Sequence, residues 1–268
     1  MLAHERAERI VERLRERGTV SAQELVRMLR VSAPTIRRDL ERLESEGALR
    51  RVHGGAFLPG SLAADAGPLA VGAGPLADAE EAPFADVVDD HAAEKDAVAA
   101  AAAALVQPGQ VVLLDIGTTT MRIARHLRGL GITVITASLA VLDVLRRDQT
   151  CELVLLGGSV RRNYQSLVGP LTEDALASVR ADIAFLSCTG VRPDGSVVDD
   201  ISQEATLKRA IVRSANRVVL TVSAAKFPGS GSLRICRLDD LNDLITTDGA
   251  DEPTLERARQ AGTNVILA

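Results

Sequence analysis

The chain has 268 residues, of which 46% are apolar and 25% charged, and carries a formal net charge of -5. These proportions exclude a wholly disordered or collagen-like chain, and the length suits one large domain or two small ones. Aromatic residues are only 2% with no Trp, which argues against stacking on unpaired bases as a working mode. Three cysteines, Cys151, Cys188 and Cys236, are odd in number and lack metal-ligand spacing, so buried thiols are expected rather than a disulfide framework or a metal site. No apolar run approaches a membrane span, and Met1 to Val20 is dense in Glu and Arg, so a cytoplasmic protein with no membrane association is expected.

The charge is unevenly distributed. Residues 1–57 hold 12 Arg against 9 acidic residues, a net of +3, while the remaining 19 basic and 27 acidic residues give -8. A small basic unit on an acidic body suggests that one part meets a polyanion.

Within that basic unit, Ala7, Ile10, Val11 and Leu14 recur at helical spacing, and Gly18 ends the helix. Ser21-Ala22-Gln23-Glu24 is a capping box that starts a second helix to about Leu29. After a tight turn, Ser32 caps a third helix with Pro34 in its first turn and Gly47 at its end. Three helices of this length with a short turn between the last two form a helix-turn-helix. Ile36, Leu40 and Leu43 should pack inward, which turns Thr35, Arg37, Arg38 and Arg42 outward to suit a DNA major groove, with Ser32 at the helix start also expected to contact the DNA. Ala48 to Ala56 then reads as an extended basic wing carrying Arg50, Arg51 and His53 along the phosphate backbone.

Leu58 to Pro83 is rich in Ala, Gly and Pro, repeats Ala-Gly-Pro-Leu-Ala, and reads as a flexible linker. The expected domains are therefore 1–57, a linker at 58–83, and 84–268.

In the last of these, seven short β-branched runs alternate with helical spacing: 111–115, 133–136, 153–156, 183–187, 218–221, 244–246 and 265–267. This pattern predicts an α/β domain whose mainly parallel sheet is covered by helices on both faces. Ligands of such sheets bind beyond the carboxyl ends of the strands. There, Asp115-Ile116-Gly117-Thr118-Thr119-Thr120 combines a glycine, three hydroxyls and a helix start, the chemistry of a phosphate cradle. Ser138, the pair Gly157 and Gly158, and Thr189 with Gly190 follow other strands, while Lys95 opens the domain and Lys226 ends the fifth run. Glu204 and Lys208 stand i, i+4 on a helix, a spacing that also fits a surface ion pair.

Val31 to Ala56, VSAPTIRRDLERLESEGALRRVHGGA, resembles the signature of the DeoR family of bacterial repressors, and the resemblance continues after the linker. It implies a winged helix-turn-helix joined to an effector domain similar to the sugar-phosphate isomerase fold, sensing a phosphorylated sugar. The family's D-x-G-T-T loop falls on Asp115, Gly117, Thr118 and Thr119, its glycine pair on Gly157 and Gly158, its E-x-x-x-K element on Glu204 and Lys208, and its strand-end lysine on Lys226. Three positions depart from it: Ala137 replaces an Asn, Ser223 an Asp, and Val87 an Arg.

The resulting expectation is a repressor of carbohydrate uptake or catabolism genes that binds a double-stranded operator as a homodimer or homotetramer, without cofactor, metal or catalytic residues. The rival is a sugar-phosphate isomerase with an added DNA-binding unit. Asp248-Gly249-Ala250-Asp251-Glu252 matches a ribose-5-phosphate isomerase motif, but its place near the carboxyl end suits a fortuitous match, and no second catalytic carboxylate is evident beside Glu204.

Overall fold

The computed structural model describes residues 3–17, 19–29, 31, 33–45, 47–52, 55–57 and 83–268. The chain divides into two compact units, Met1–Ala73 and Gly74–Ala268. The linker expected at 58–83 lies, apart from Pro83, outside the described residues.

The first unit contains helix α1 (Ala3–Arg17), strand β1 (Thr19–Ser21), helices α2 (Ala22–Leu29) and α3 (Ala33–Ser45), and strands β2 (Arg50–Val52) and β3 (Gly55–Phe57). The strands form an antiparallel sheet in the order β1-β3-β2. Ile36, Leu40 and Leu43 are buried against Ile10, Leu14, Leu25 and Leu29, as their spacing requires. Gly47 takes φ +73 after α3, and its amide bonds to Glu44 O while that of Ala48 bonds to Leu43 O. That pair of bonds is a Schellman closure, which places glycine in the left-handed conformation.

The second unit begins with helices α4 (Phe84–Val87) and α5 (Ala92–Ala103), followed by β4 (Val111–Leu114), α6 (Thr118–His126), β5 (Thr133–Thr136), α7 (Leu139–Leu145) and β6 (Glu152–Leu155). A hairpin of β7 (Ser159–Arg161) and β8 (Ser166–Val168) comes next, then α8 (Pro170–Ala177) and β9 (Ala181–Leu186). The chain continues through β10 (Gly190–Val191), β11 (Ser196–Asp199), α9 (Ser202–Arg213), β12 (Ala215–Thr221) and β13 (Leu233–Arg237). It closes with β14 (Asp243–Thr246), α10 (Glu252–Gln260) and β15 (Asn264–Leu267).

All seven expected runs pair in one parallel sheet of order β15-β14-β12-β9-β4-β5-β6. Successive residues of each strand face opposite sides. Val112 and Leu114 join a core with Val98 of α5, Ile123 of α6 and Val141 of α7, whereas Leu113 joins Leu176 of α8, Leu207 of α9 and Leu255 of α10. Burial on both faces is why the central strands read as uninterrupted apolar runs, whereas the edge strands β6 and β15 are partly exposed. From β4 the chain leaves towards β5 and β6, and it returns through β9 on the other side. The loops after β4 and β9 therefore diverge, and the crevice between them is the topological switch point where open α/β sheets bind ligands.

The β7–β8 hairpin and a small antiparallel sheet of β10, β11 and β13 are additions to the expected architecture. All three cysteines are free and buried. Among the described residues no helix is long and apolar enough to cross a membrane.

Candidate functional site

Five charged side chains meet, almost wholly buried, at the carboxyl ends of β4 and β9. Lys208 Nζ lies 2.8 Å from Asp199 Oδ2, 3.6 Å from Asp115 Oδ2 and 4.0 Å from Glu204 Oε2. Arg161 of β7 forms an ion pair with Glu204 Oε1, and both are buried. Ser187, just after β9, donates its amide and hydroxyl to Asp115 Oδ2 at 2.9 and 2.8 Å, which ties the two walls of the crevice together.

Burial opposes the charge on Lys208, but Asp115 and Asp199 outweigh it and raise the ammonium pKa above its ordinary value. Burial likewise opposes ionisation of Asp199, yet Lys208 and the amides of Ile201 and Asp200 hold its carboxyl below the usual range. At Asp115 burial wins, and the carboxyl is raised despite Lys208 and Ser187. Three carboxylates face two cations, so the cluster holds one acid in excess, and Asp115 is where a proton is most readily held. Its second oxygen, Oδ1, is buried with no hydrogen-bond partner among the described residues. Such an atom is costly unless something bonds to it. Nearby Cys188 has its thiol pushed up to about 12 by burial and is inert as a nucleophile.

Beside this cluster, Gly117 takes φ +127 and α6 begins at Thr118. The first helical amides have no intrahelical acceptor, and the helix dipole favours an anion in front of them. Thr118 is buried and Thr119 half-buried, and neither hydroxyl makes a hydrogen bond among the described residues, whereas Thr120 Oγ1 donates back to Gly117 O at 3.0 Å. Lys226 ends the short turn that follows β12, half-buried and with no ion pair among the described residues. Lys95 on α5 lies within electrostatic reach of it. The arrangement thus sets anion-binding groups next to a buried acceptor.

Several other residues singled out in the sequence have structural contacts. Ser138 caps α7, accepting from Val141 N at 3.2 Å. Gly157 O accepts from Thr172 Oγ1, and a Cβ on Gly158 would fall 2.1 Å from that same oxygen, so the glycine pair admits Thr172. Gly190 packs backbone to backbone on Gly229, where a Cβ would lie 2.5 Å from Gly229 Cα. Its glycine is a packing requirement, and Gly190→Ala should destabilise the unit by about 1–3 kcal/mol through overpacking, read in a thermal or denaturant melt. Ala137 belongs to the apolar core, and its carbonyl accepts from Leu167 N. Ser223 is buried at the start of the turn that holds Lys226. Asp251 caps α10 by accepting from Thr254 N and Oγ1, a structural use for the Asp248–Glu252 sequence.

Two readings need correction. Glu204 and Lys208 are not a surface pair; both are buried, each with a second partner from another element. Further carboxylates do stand near Glu204, since Asp115 and Asp199 share Lys208 with it. Asp199, Arg161 and Ser187 escaped notice in the sequence. For Asp199 a signal existed: like Asp115 it is an acid directly ending an apolar run, Val197-Val198-Asp199.

In the first unit Arg38 and Arg42 are exposed on α3 and Thr35 is half-buried. Asp39 turns inward and forms a two-pronged pair with Arg6 of α1, 2.7 and 3.1 Å, instead of screening the neighbouring arginines. Arg37, Arg50 and Arg51 lie on α3 and β2. The expected contacts of Ser32 and His53 lie outside the described residues, as do the side chains of those three arginines.

A sequence-family profile described as the DeoR C terminal sensor domain matches residues 90–248, and one described as a DeoR-like helix-turn-helix domain matches 6–61. The chain belongs to the DeoR family. A glycerol-3-phosphate regulon repressor of Escherichia coli strain K12 is 30% identical over 89% of this chain and 88% of its own length. The L-fucose operon activator of the same strain is 28% identical over 98% of each. Among solved structures, ribose 5-phosphate isomerase A of Methanocaldococcus jannaschii aligns with 49% of this chain and 52% of its own, at 22% identity and TM-score 0.37. The DeoR relatives are transcriptional regulators, and this DeoR-family chain is a DNA-binding transcriptional regulator rather than an isomerase.

Proposed function

We propose that this DeoR-family regulator controls genes of carbohydrate uptake or catabolism and is switched by a phosphorylated sugar bound at the crevice between β4 and β9. The observation that carries this reading is Asp115, buried with a free Oδ1 beside the first turn of α6. Phosphate oxygens suit the α6 amides, the Thr118 and Thr119 hydroxyls and Lys226. A sugar hydroxyl suits Asp115 Oδ1, with Lys208 and Arg161 fixing the carboxylates behind it, Glu204 among them. The names of the two relatives, a glycerol-3-phosphate repressor and a fucose operon activator, support a sugar-linked role in either sense of control.

The reading includes a DNA-binding domain over 1–57, a linker over 58–83 and a sensor over 84–268. It also includes a cytoplasmic homodimer or homotetramer, since one recognition helix reads few base pairs and paired half-sites call for a symmetric protein.

A thermal-shift screen against phosphorylated sugars and their unphosphorylated counterparts tests it. A ligand at 100 times its Kd stabilises the native state by about 2.7 kcal/mol. Stabilisation by one phosphorylated compound and not by its free sugar is the expected result; equal stabilisation by both would overturn the anion site. Thr118→Val combined with Thr119→Val should weaken that stabilisation by about 1–3 kcal/mol while operator binding persists. An undiminished effector response in the double variant would refute the cradle.

A further inference from the structure

The described sensor unit opens with α4, and several contacts tie this short helix and its cap residue Val88 to the elements around the candidate site. Lys95 Nζ donates to Val87 O at 2.9 Å. Arg122 of α6, almost fully buried, donates to Val88 O and to Asp96 Oδ2, both at 2.8 Å. Phe84 packs on Met121 and Ala140, in the first turns of α6 and α7, and its ring meets Tyr164 edge-on at 5.7 Å. The amide of Phe84 also donates to Asn163 O in the turn of the β7–β8 hairpin, whose Arg161 reaches into the buried cluster through Glu204. Thus α4 touches the elements that form the site and directly follows the residues that lead from the DNA-binding unit.

Of these ties, the Lys95 contact can be exchanged. Arg122 has a carboxylate partner in Asp96 at 2.8 Å, whereas the hydrogen bond of Lys95 goes to a neutral carbonyl, with the cations Lys226 and Arg122 and the acids Asp89 and Asp90 within electrostatic reach. An ammonium bonded to a neutral carbonyl gains by exchanging it for an arriving anion, because charge-assisted hydrogen bonds are roughly twice as strong as neutral ones. We propose that Lys95 is shared between α4 and the anionic end of the effector, so that filling the site removes the partner of Val87 O and loosens α4. This rests on the anion site proposed above. It supplies a coupling element with two arrangements, which regulation at a distance requires.

Hydrogen exchange of the full chain, with inorganic phosphate as probe against chloride of matched ionic strength, tests the coupling alongside a thermal melt. Phosphate should raise the melting temperature and speed amide exchange at residues 84–88 severalfold. In Lys95→Met, exchange at 84–88 should already be fast without phosphate and respond no further, while phosphate still raises the melting temperature through α6 and Lys226. A raised melting temperature with unchanged or slower exchange at 84–88 in the wild type overturns the coupling and leaves the anion site standing. Absence of any melting shift overturns both. Should Lys95→Met fail to fold, the wild-type pair of measurements decides, and Lys95→Arg, which keeps the cation, should behave as the wild type.

Discussion

Replacing Lys208 with methionine is expected to destabilise the sensor unit by about 3–5 kcal/mol, the usual cost of breaking a buried ion pair from one side. The variant leaves Asp115, Asp199 and Glu204 facing Arg161 alone, and Arg161 is bonded to Glu204. The loss should depend on pH in a defined sense. In the native protein Lys208 holds the Asp199 carboxyl below its ordinary value, so this contribution is present above the unfolded carboxylate pKa and fades only as pH falls through the lowered folded value. Burial already raises Asp115 in the wild type, and without Lys208 it is expected to raise Asp115 further and Asp199 as well. The folded state then binds protons that the unfolded state does not, and stability climbs as pH falls. The gap between variant and wild type should therefore narrow from about pH 8 to about pH 5 in denaturant titrations. Adding Asp115→Asn to Lys208→Met should recover part of the stability, because it removes one uncompensated acid. A gap that stays constant with pH would show that the loss is packing and that the cluster is not ionised as described.

This cluster was also the part of the molecule hardest to read in the sequence, for a physical reason. The central strands were legible as apolar runs because helices bury both of their faces, and the edge strands β6 and β15, though partly exposed, keep the same apolar β-branched character. Asp115 was legible because it ends one of these runs in front of a glycine and a helix start. Arg161 and Asp199 come from β7 and β11, which lie in a hairpin and a small antiparallel sheet outside the main sheet, so the alternation of parallel strands and helices did not point to them. Without them, Glu204 and Lys208 look like any helical i, i+4 pair, since burial is decided by what packs over a helix and not by its own spacing. Ser138 and Gly190 each have a structural use as well. Both follow strands of the sheet, as ligand residues do, but one caps α7 and the other admits the Gly229 backbone. Position after a strand marks the right edge of the sheet; it does not separate residues that face the crevice from those that close a turn.

Replacing Arg38 and Arg42 together with alanine should weaken operator binding by roughly 30-fold or more, at about 1–3 kcal/mol for each arginine that reaches the DNA. The two stand i, i+4 on α3, exposed on the side opposite the buried Ile36, Leu40 and Leu43. Their removal should cost no more than about 1 kcal/mol of stability for each exposed arginine, the most that an exposed ion pair is usually worth. Binding is best measured on a duplex selected from random sequence by the wild-type protein, at fixed salt, because phosphate contacts alone make affinity strongly salt-dependent. Affinity within a factor of two of wild type would exclude this face of α3 from the groove. Lysine variants then separate the two roles open to each arginine. Lysine keeps the charge that neutralises a phosphate but lacks the planar fork that bonds a guanine edge on two atoms. Where lysine restores affinity for every sequence alike, the arginine serves the backbone; where it restores only the sequence-independent part, the arginine reads a base, and α3 is the recognition helix.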